Sequence, residues 1–418
     1  MNNCATIVKI DNLRKHENAD KLQMTTIFGN QVVVGLDVNV GDIGIYFETN
    51  LQLSKEYCEY NNLIRNVVDG VNIGGMFDEN RKVRTQKLRG EKSDGFYMPL
   101  SSLNFIENLP KLELNFEFTS INGIEICRKY VSPNQKISGG NANKPQKAKF
   151  EVPMLVRHND TSHFGKNKHL IKPNSKLVIT EKLHGTSGAI GNVLVKLEPK
   201  NKLMKWIYKV LGVEKNEYQY VQRTRNVVLN TTQKRDTAYH SDSIREYAMS
   251  LMKDKLHKNE VVYFEIVGFE GEKYIMPSGS NDKLGKDFMK VYGKNTEFRY
   301  GCLPKECKVY VYRIAMSNPD GNQIDYTYSD MAKRCSELGL NVVPLLKEIY
   351  VTDVDATIQE IEDLTSGSST LDNHIREGIV VRFDDNTKDM LFLKNKSFEF
   401  KVIEGLISDV QSNIEDES

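Results

Sequence analysis

Lys182 stands in the heptapeptide Glu181-Lys182-Leu183-His184-Gly185-Thr186-Ser187, just after the apolar run Leu177-Val178-Ile179. A flanking acid, a glycine that lets the backbone turn, and two hydroxyls within five residues suit a lysine that attacks a nucleoside triphosphate. A solvated surface turn uses the same residue types. Segments further along the chain decide between the two.

Four later segments join an apolar run to a charged or aromatic residue. Val261-Val262-Tyr263-Phe264-Glu265-Ile266-Val267-Gly268 puts a carboxylate inside a strand that reads as buried, and an unpaired buried carboxylate is costly, so a cation, hydroxyl or metal is expected opposite Glu265. In Lys308–Ile314 strand alternation places Tyr310 and Tyr312 on one face and Val309, Val311 and Arg313 on the other; such an aromatic row either stacks on a base or belongs to the core. Arg376-Glu377-Gly378-Ile379-Val380-Val381 sets a second carboxylate at the mouth of a strand. Leu393-Lys394-Asn395-Lys396 then brings two lysines to one face, about 7 Å apart by the strand rise, a spacing that suits a polyanion between them.

These residues need a scaffold, and 418 residues exceed the usual size of one core, so two domains are expected. Residues 1–130 read as short strands with glycine punctuation (Ala5–Ile10, Gln31–Leu36, Gly44–Phe47, Gly95–Leu100), the pattern of a small OB-like β-barrel. Residues 131–149 have linker composition, 150–405 form the second domain, and 406–418 an acidic tail. A helix is expected between Lys196 and Tyr220, with Leu203, Trp206, Ile207, Val210 and Leu211 on one face and Lys202, Lys205 and Lys209 on the other, a solvated face or a nucleic-acid contact.

Composition narrows the class. With 39% hydrophobic and 27% charged residues the chain is neither disordered nor membrane-spanning. Its six scattered cysteines contain no Cys-x-x-Cys pair, which argues against a zinc ribbon or a disulfide framework. The N-terminus lacks a signal-peptide pattern, so a reducing cytoplasm and no membrane partner are expected. A net charge of +1 means that nucleic-acid affinity must come from local patches.

Taken in order, EKLHGTS, TRNVVLN, VYFEIVG, VYVYRI, REGIVV and LKNK resemble the successive motifs of the covalent nucleotidyltransferases, and K-x-H-G-T is the form found in nick-sealing RNA ligases. The likeness covers about residues 150–405. It implies an α+β fold: an N-terminal OB-like β-barrel, then a nucleotidyltransferase (ATP-grasp-like ligase) domain of antiparallel sheets with flanking helices. It also implies roles. Lys182 would take AMP from ATP, with Glu181 beside the adenine and Gly185, Thr186 and Ser187 around the nucleotide. Arg225, with Arg223 as competitor, would bind the nucleotide, Glu265 would meet the ribose or orient the site, and Tyr312 would stack on adenine. Glu377 would hold Mg²⁺ or Mn²⁺, while Lys394 and Lys396 clamp the phosphates. A lysine nucleophile must be the neutral amine, and cations crowded beside it favour that form. Two positions depart from the pattern: Phe264 stands where many relatives have glycine, and Arg313 where an aspartate is common.

The module before the core separates the relatives. DNA ligases and capping enzymes place an OB domain after the last motif, whereas only 22 residues follow Lys396 here. The arrangement resembles RNA ligases that carry an N-terminal OB domain and seal nicks with a 3′-OH RNA end. Within that module Arg81–Lys92 holds six basic residues and one acid; Arg81, Arg84, Lys87, Arg89 and Lys92 suit phosphate tracking on a duplex, or form a solvated hairpin. Residues Ile7–Gly35, with His16-Glu17-Asn18-Ala19-Asp20-Lys21-Leu22, also resemble tRNA-binding OB modules. The expected activity is an ATP-dependent RNA ligase acting as a monomer on nicked duplexes or broken RNA ends; the rivals are an RNA guanylyltransferase using GTP and an inactive RNA-binding relative.

Overall fold

The computed structural model describes residues 4–69, 71–131, 151–158, 161–197, 216–225, 227–229 and 242–410. They fall into two compact units, one drawn from Met1–Ser138, Ser280–Lys294 and Phe398–Ser412, the other from Gly139–Gly279, Asn295–Ser397 and Asn413–Ser418. The first unit thus takes in two segments from beyond the boundary expected near residue 130. The linker 131–149 lies, but for Val131, outside the described residues, as do residues 411–418 of the tail.

The first unit is built on β1 (Ala5–Lys9), β2 (Leu22–Ile27), β3 (Asn30–Gly35), β4 (Ile43–Phe47), β5 (Thr85–Leu88), β6 (Glu91–Asp94), β7 (Phe96–Pro99) and β8 (Glu117–Phe118). Strands run β7-β4-β1-β8 in one sheet, while β2 pairs with β3 and β5 with β6 separately. Four of these match the expected strands within about a residue. The expected barrel is not a closed hydrogen-bonded ladder among the described residues. Its core gathers Ala5, Ile7, Ile45, Phe47, Leu51 and Leu53, the inward positions of alternating strands. Between β5 and β6 the turn residues Arg89 and Gly90 both have positive φ, 49° and 94°, the backbone twist that a two-residue hairpin requires.

The second unit has two main sheets. In one, β9 (Lys176–Lys182) lies between β15 (Leu345–Tyr350) and β16 (Gly378–Phe383), and β16 pairs on its other side with β17 (Phe392–Lys396), all antiparallel. In the other, β10 (Thr186–Lys196) lies between β11 (Asn216–Thr224) and β12 (Glu260–Glu270), followed by β13 (Cys307–Ser317) and β14 (Gln323–Asp325). The apolar run before Lys182 is explained by burial on both faces. Leu177 and Ile179 pack with Ile361 of the helix Val354–Thr365. Val178 packs with Ile190, Val262, Phe264 and Val311 of the other sheet.

Residues 198–215 of the expected 196–220 helix lie outside the described residues. The last five residues of that span are not helical: Asn216–Thr224 is strand, paired along β10 from Lys196↔Asn216 to Gly188↔Thr224.

Candidate active site

Strand pairing brings the charged residues together. Register on β9 sets Lys182 opposite Gly378, and Gly378 in turn opposite Lys396, so Glu377 and both clamp lysines arrive beside Lys182. Gly378 is required by space, because a Cβ there would stand 2.0 Å from the Asn395 carbonyl oxygen. Gly185 is required for the same reason, its Cβ falling 2.3 Å from the Ile266 carbonyl oxygen. That close approach lets the chain pass from β9 into β10, where Thr186 faces Ile266 and Ser187 faces Glu265.

Glu377 is the hub. Its Oε1 lies 2.7 Å from Lys182 Nζ and 3.5 Å from Lys396 Nζ, and its Oε2 lies 3.8 Å from His184 Nδ1. Burial alone would raise the carboxyl, but Lys182, Lys396 and His184 together hold it below the ordinary glutamate value. Beside the expected cations, a carboxylate is in direct contact with Lys182.

Lys394 is pulled down to about 8, first by burial and then by Lys396, Lys182 and Arg225. Glu265 is pushed up to about 8 by burial, against the pull of Lys182 and Arg225. Arg225 thus lies within electrostatic reach of both. Its competitor Arg223 serves the backbone, donating to the carbonyls of Leu155 (2.5 Å), Thr224 (3.2 Å) and Arg225 (3.4 Å).

Tyr312 lies on the Glu265 face, as alternation from Tyr310 expects, and a β-bulge falls at it. Opposite β12, Tyr263 pairs with Arg313 and Phe264 with Val311, so Tyr312 is the extra residue of β13. Its hydroxyl, pushed up by burial and the Glu265 carboxyl, hydrogen-bonds Ser187, and its ring meets His158 edge-on at 5.1 Å. The bulge overturns the expected alternation, because Arg313 now shares the Tyr263 side instead of the Val311 side. There its guanidinium lies 4.7 Å from the Tyr263 ring centroid and pairs with Asp325, at 2.5 Å from Nε to Oδ1. The departure at Arg313 is thereby compensated within the fold.

Glu181, one residue from Lys182 on a strand, has its side chain on the opposite face. Its Oε2 accepts from both the backbone N–H and the hydroxyl of Thr370, each at 2.8 Å. Thr370 and Tyr300 are site residues that sequence reasoning missed. The Tyr300 hydroxyl accepts the His184 backbone N–H at 2.6 Å, fixing the turn after Lys182. Neither belongs to a motif, and no local pattern marks them.

The N-terminal basic residues are in the first unit. Arg81 donates to the carbonyls of Leu53 and Glu79, Lys87 to that of Leu284, and Lys92 to the Glu399 carboxylate; Arg84 is half-buried and Arg89, at the hairpin tip, is exposed.

A metal is implied at Glu377. The fit is supported by Glu377 Oε2, a buried oxygen with no hydrogen-bond partner. A hard carboxylate oxygen left open in this way suits Mg²⁺ or Mn²⁺.

A lysine paired to a buried carboxylate, with two more lysines and a second buried acid close by, is an arrangement whose charges could hold and polarise a phosphate chain. The chain belongs to the RNA ligase family, whose model matches residues 175–403, more than half of its length. An OB-fold domain model matches residues 4–100. Solved structures of Naegleria gruberi RNA ligase share the fold. A lysine-to-alanine mutant with ATP and Mn aligns at TM-score 0.59 and 16% identity over 95% of this chain and 98% of its own. A lysine-to-methionine mutant with AMP and Mn aligns at 0.59 and 17% over 95% and 97%. No curated protein matches the chain in sequence. Among the described residues no helix is long and apolar enough to cross a membrane.

Proposed function

We propose that the protein is an ATP-dependent RNA ligase that joins a 3′-OH to a 5′-phosphate at nicks through a lysyl-AMP intermediate. The observation that carries the reading is the convergence of Lys182, Glu377, Lys394 and Lys396 across three adjacent strands. Family membership and the likeness to structures holding ATP and Mn support it.

In the proposed reaction the neutral Lys182 amine attacks the α-phosphorus of ATP; the new P–N bond replaces the P–O bond to pyrophosphate. Lys394 and Lys396 face the phosphates and offset the charge gathering on the departing pyrophosphate. AMP then passes to the RNA 5′-phosphate, releasing Lys182, and the 3′-OH displaces AMP to close the strand. Mg²⁺ or Mn²⁺ bound at Glu377 supplies Lewis-acid charge to the phosphoryl oxygens. Glu377 has a second part: its carboxylate holds the Lys182 ammonium before ATP arrives. Engaging Glu377 elsewhere releases Lys182 Nζ from that ion pair. Arg225, Glu265, Ser187 and Tyr312 line the nucleoside side, Gly185 and Thr186 let the backbone turn there, and Arg84, Lys87, Arg89 and Lys92 belong to the RNA side. Arg81, held by two carbonyls, is left with a structural role.

Incubation with α-labelled ATP or GTP tests the reading. Label from ATP that survives denaturation and vanishes in Lys182→Ala, with the melting temperature retained, is the expected result. Label from GTP alone, or label persisting in the mutant, would overturn it.

A further inference from the structure

The first unit contains a segment that the ligase motifs do not explain. Ser280–Lys294 is separated in sequence from the rest of that unit by more than a hundred residues on each side, yet packs within it. Its ends are stitched together by buried Asn281, whose backbone N–H donates to the Lys294 carbonyl at 2.8 Å and whose side-chain amide donates to the Gly293 carbonyl at 3.0 Å. Leu284, 3% exposed, anchors the segment from below, and its carbonyl accepts Lys87 Nζ at 2.8 Å. Lys87 belongs to β5 of the basic hairpin. The excursion and the hairpin are therefore one surface.

That surface is basic. The segment has four lysines and two aspartates, and Lys283, Lys286, Lys290 and Lys294 are all exposed. One aspartate is already offset, because Asp287 pairs with Lys290 at 2.9 Å. Phe288 and Tyr292 lie one helical turn apart with ring centroids at 4.7 Å, giving the short helix Lys286–Tyr292 an aromatic ridge between its lysines. On the hairpin side Arg89 is exposed at the tip. His16, from the stretch that resembles tRNA-binding modules, braces that hairpin through Nε2 and the Leu88 carbonyl at 3.1 Å.

We propose that Ser280–Lys294 and the tip of the β5–β6 hairpin form one docking surface for the phosphate backbone of duplex RNA. Separate exposed cations, spread along fifteen residues and a hairpin tip, meet a row of phosphates better than they meet a single small anion. An acidic protein partner would present carboxylates with similar charge, but the RNA ligase reading, on which this inference rests, supplies a duplex that must be held while its ends react. The surface adds affinity independent of base sequence and leaves the adenylation chemistry to Lys182.

The test uses the full-length protein with Lys283→Glu, Lys286→Glu and Lys294→Glu combined. Binding to a fluorescent nicked RNA duplex is measured by anisotropy from 50 to 200 mM salt, alongside self-labelling with ATP. The expected result is a loss of RNA affinity of at least about tenfold and a log–log salt slope shallower by roughly one per lysine that met a phosphate. Labelling should match wild type. A second variant carrying the same charge change at Lys9, Lys55 and Lys111, exposed elsewhere on the same unit, should keep most of its RNA affinity. Unchanged RNA binding in the first variant, or equal loss in the second, overturns the docking surface, as would an acidic peptide displacing the duplex at lower concentration than unlabelled RNA. If wild type takes no label from ATP but the variants bind RNA as expected, the ligase reading fails and the surface stands.

Discussion

Asp325→Ala should be among the most damaging single changes in the second unit, although Asp325 is no part of the nucleotide chemistry. Asp325 is 5% exposed and Arg313 is 9% exposed, and the two are joined by two hydrogen bonds, Nε to Oδ1 at 2.5 Å and Nη2 to Oδ2 at 3.2 Å. Removing the carboxylate leaves a buried guanidinium beside Gln323 and the Tyr263 and Phe392 rings, with no anion among these contacts. Breaking one side of a buried pair costs about 3–5 kcal/mol. At roughly 2–4 °C per kcal/mol for a unit of this size, the melting temperature should fall by about 6–20 °C. Replacing both partners by apolar groups, Arg313→Met with Asp325→Leu, removes the orphan charge and should recover most of that loss. Chain adjacency ties the effect to function, since Tyr312 stands between Arg313 and Val311 and shares the Arg313 side of the sheet with Ser187. The KM for ATP in self-labelling should therefore rise in Asp325→Ala below its melting temperature, with a smaller change in the maximal rate. A melting temperature within about 2 °C of wild type, or a double mutant less stable than Asp325→Ala, would refute the reasoning.

The site yields three further expected outcomes. Affinity for an ATP analogue that cannot lose pyrophosphate, measured calorimetrically with Lys182 in place, should fall as pH rises through about 8, because Lys394 loses its charge there; Lys394→Arg should flatten that slope, and an unchanged slope would count against the assignment. Glu265 keeps its proton up to about 8 when folded but releases it near 4.5 when unfolded, so the stability it contributes is complete below 4.5 and lost as pH rises through about 8. Glu265→Gln should remove that part of the decline in melting temperature between pH 5 and pH 8.5, and an identical pH profile would exclude it. Glu377→Gln should slow self-labelling by roughly 10²–10³-fold, and recovery at high Mn²⁺ would show that the carboxylate is dispensable.

Much of the second unit was legible because its strands are buried on both faces and so appear as apolar runs, each ending in one charged residue. Lys182, Glu377 and Lys394 could be ordered from that pattern, and β-sheet register then brought them together. What remained illegible depends on contacts between segments remote in sequence. Thr370 reaches Glu181 across 189 positions and Tyr300 reaches His184 across 116. Neither carries a signal that a single sequence reveals.

The bulge at Tyr312 shows why strict alternation failed where it mattered most. An uninterrupted β13 would send Arg313 to the Val309 and Val311 face, into the cluster formed with Ile190, Val262 and Phe264. A guanidinium there would be buried without an anion, a cost of several kcal/mol. One extra residue returns Arg313 to the side where Asp325 waits, next to Tyr312, which alternation from Tyr310 already puts on the Ser187 side. The charge that departs from the family pattern and the aromatic ring expected against the nucleotide thus share one side of the sheet as chain neighbours, so substitutions at either should perturb the other.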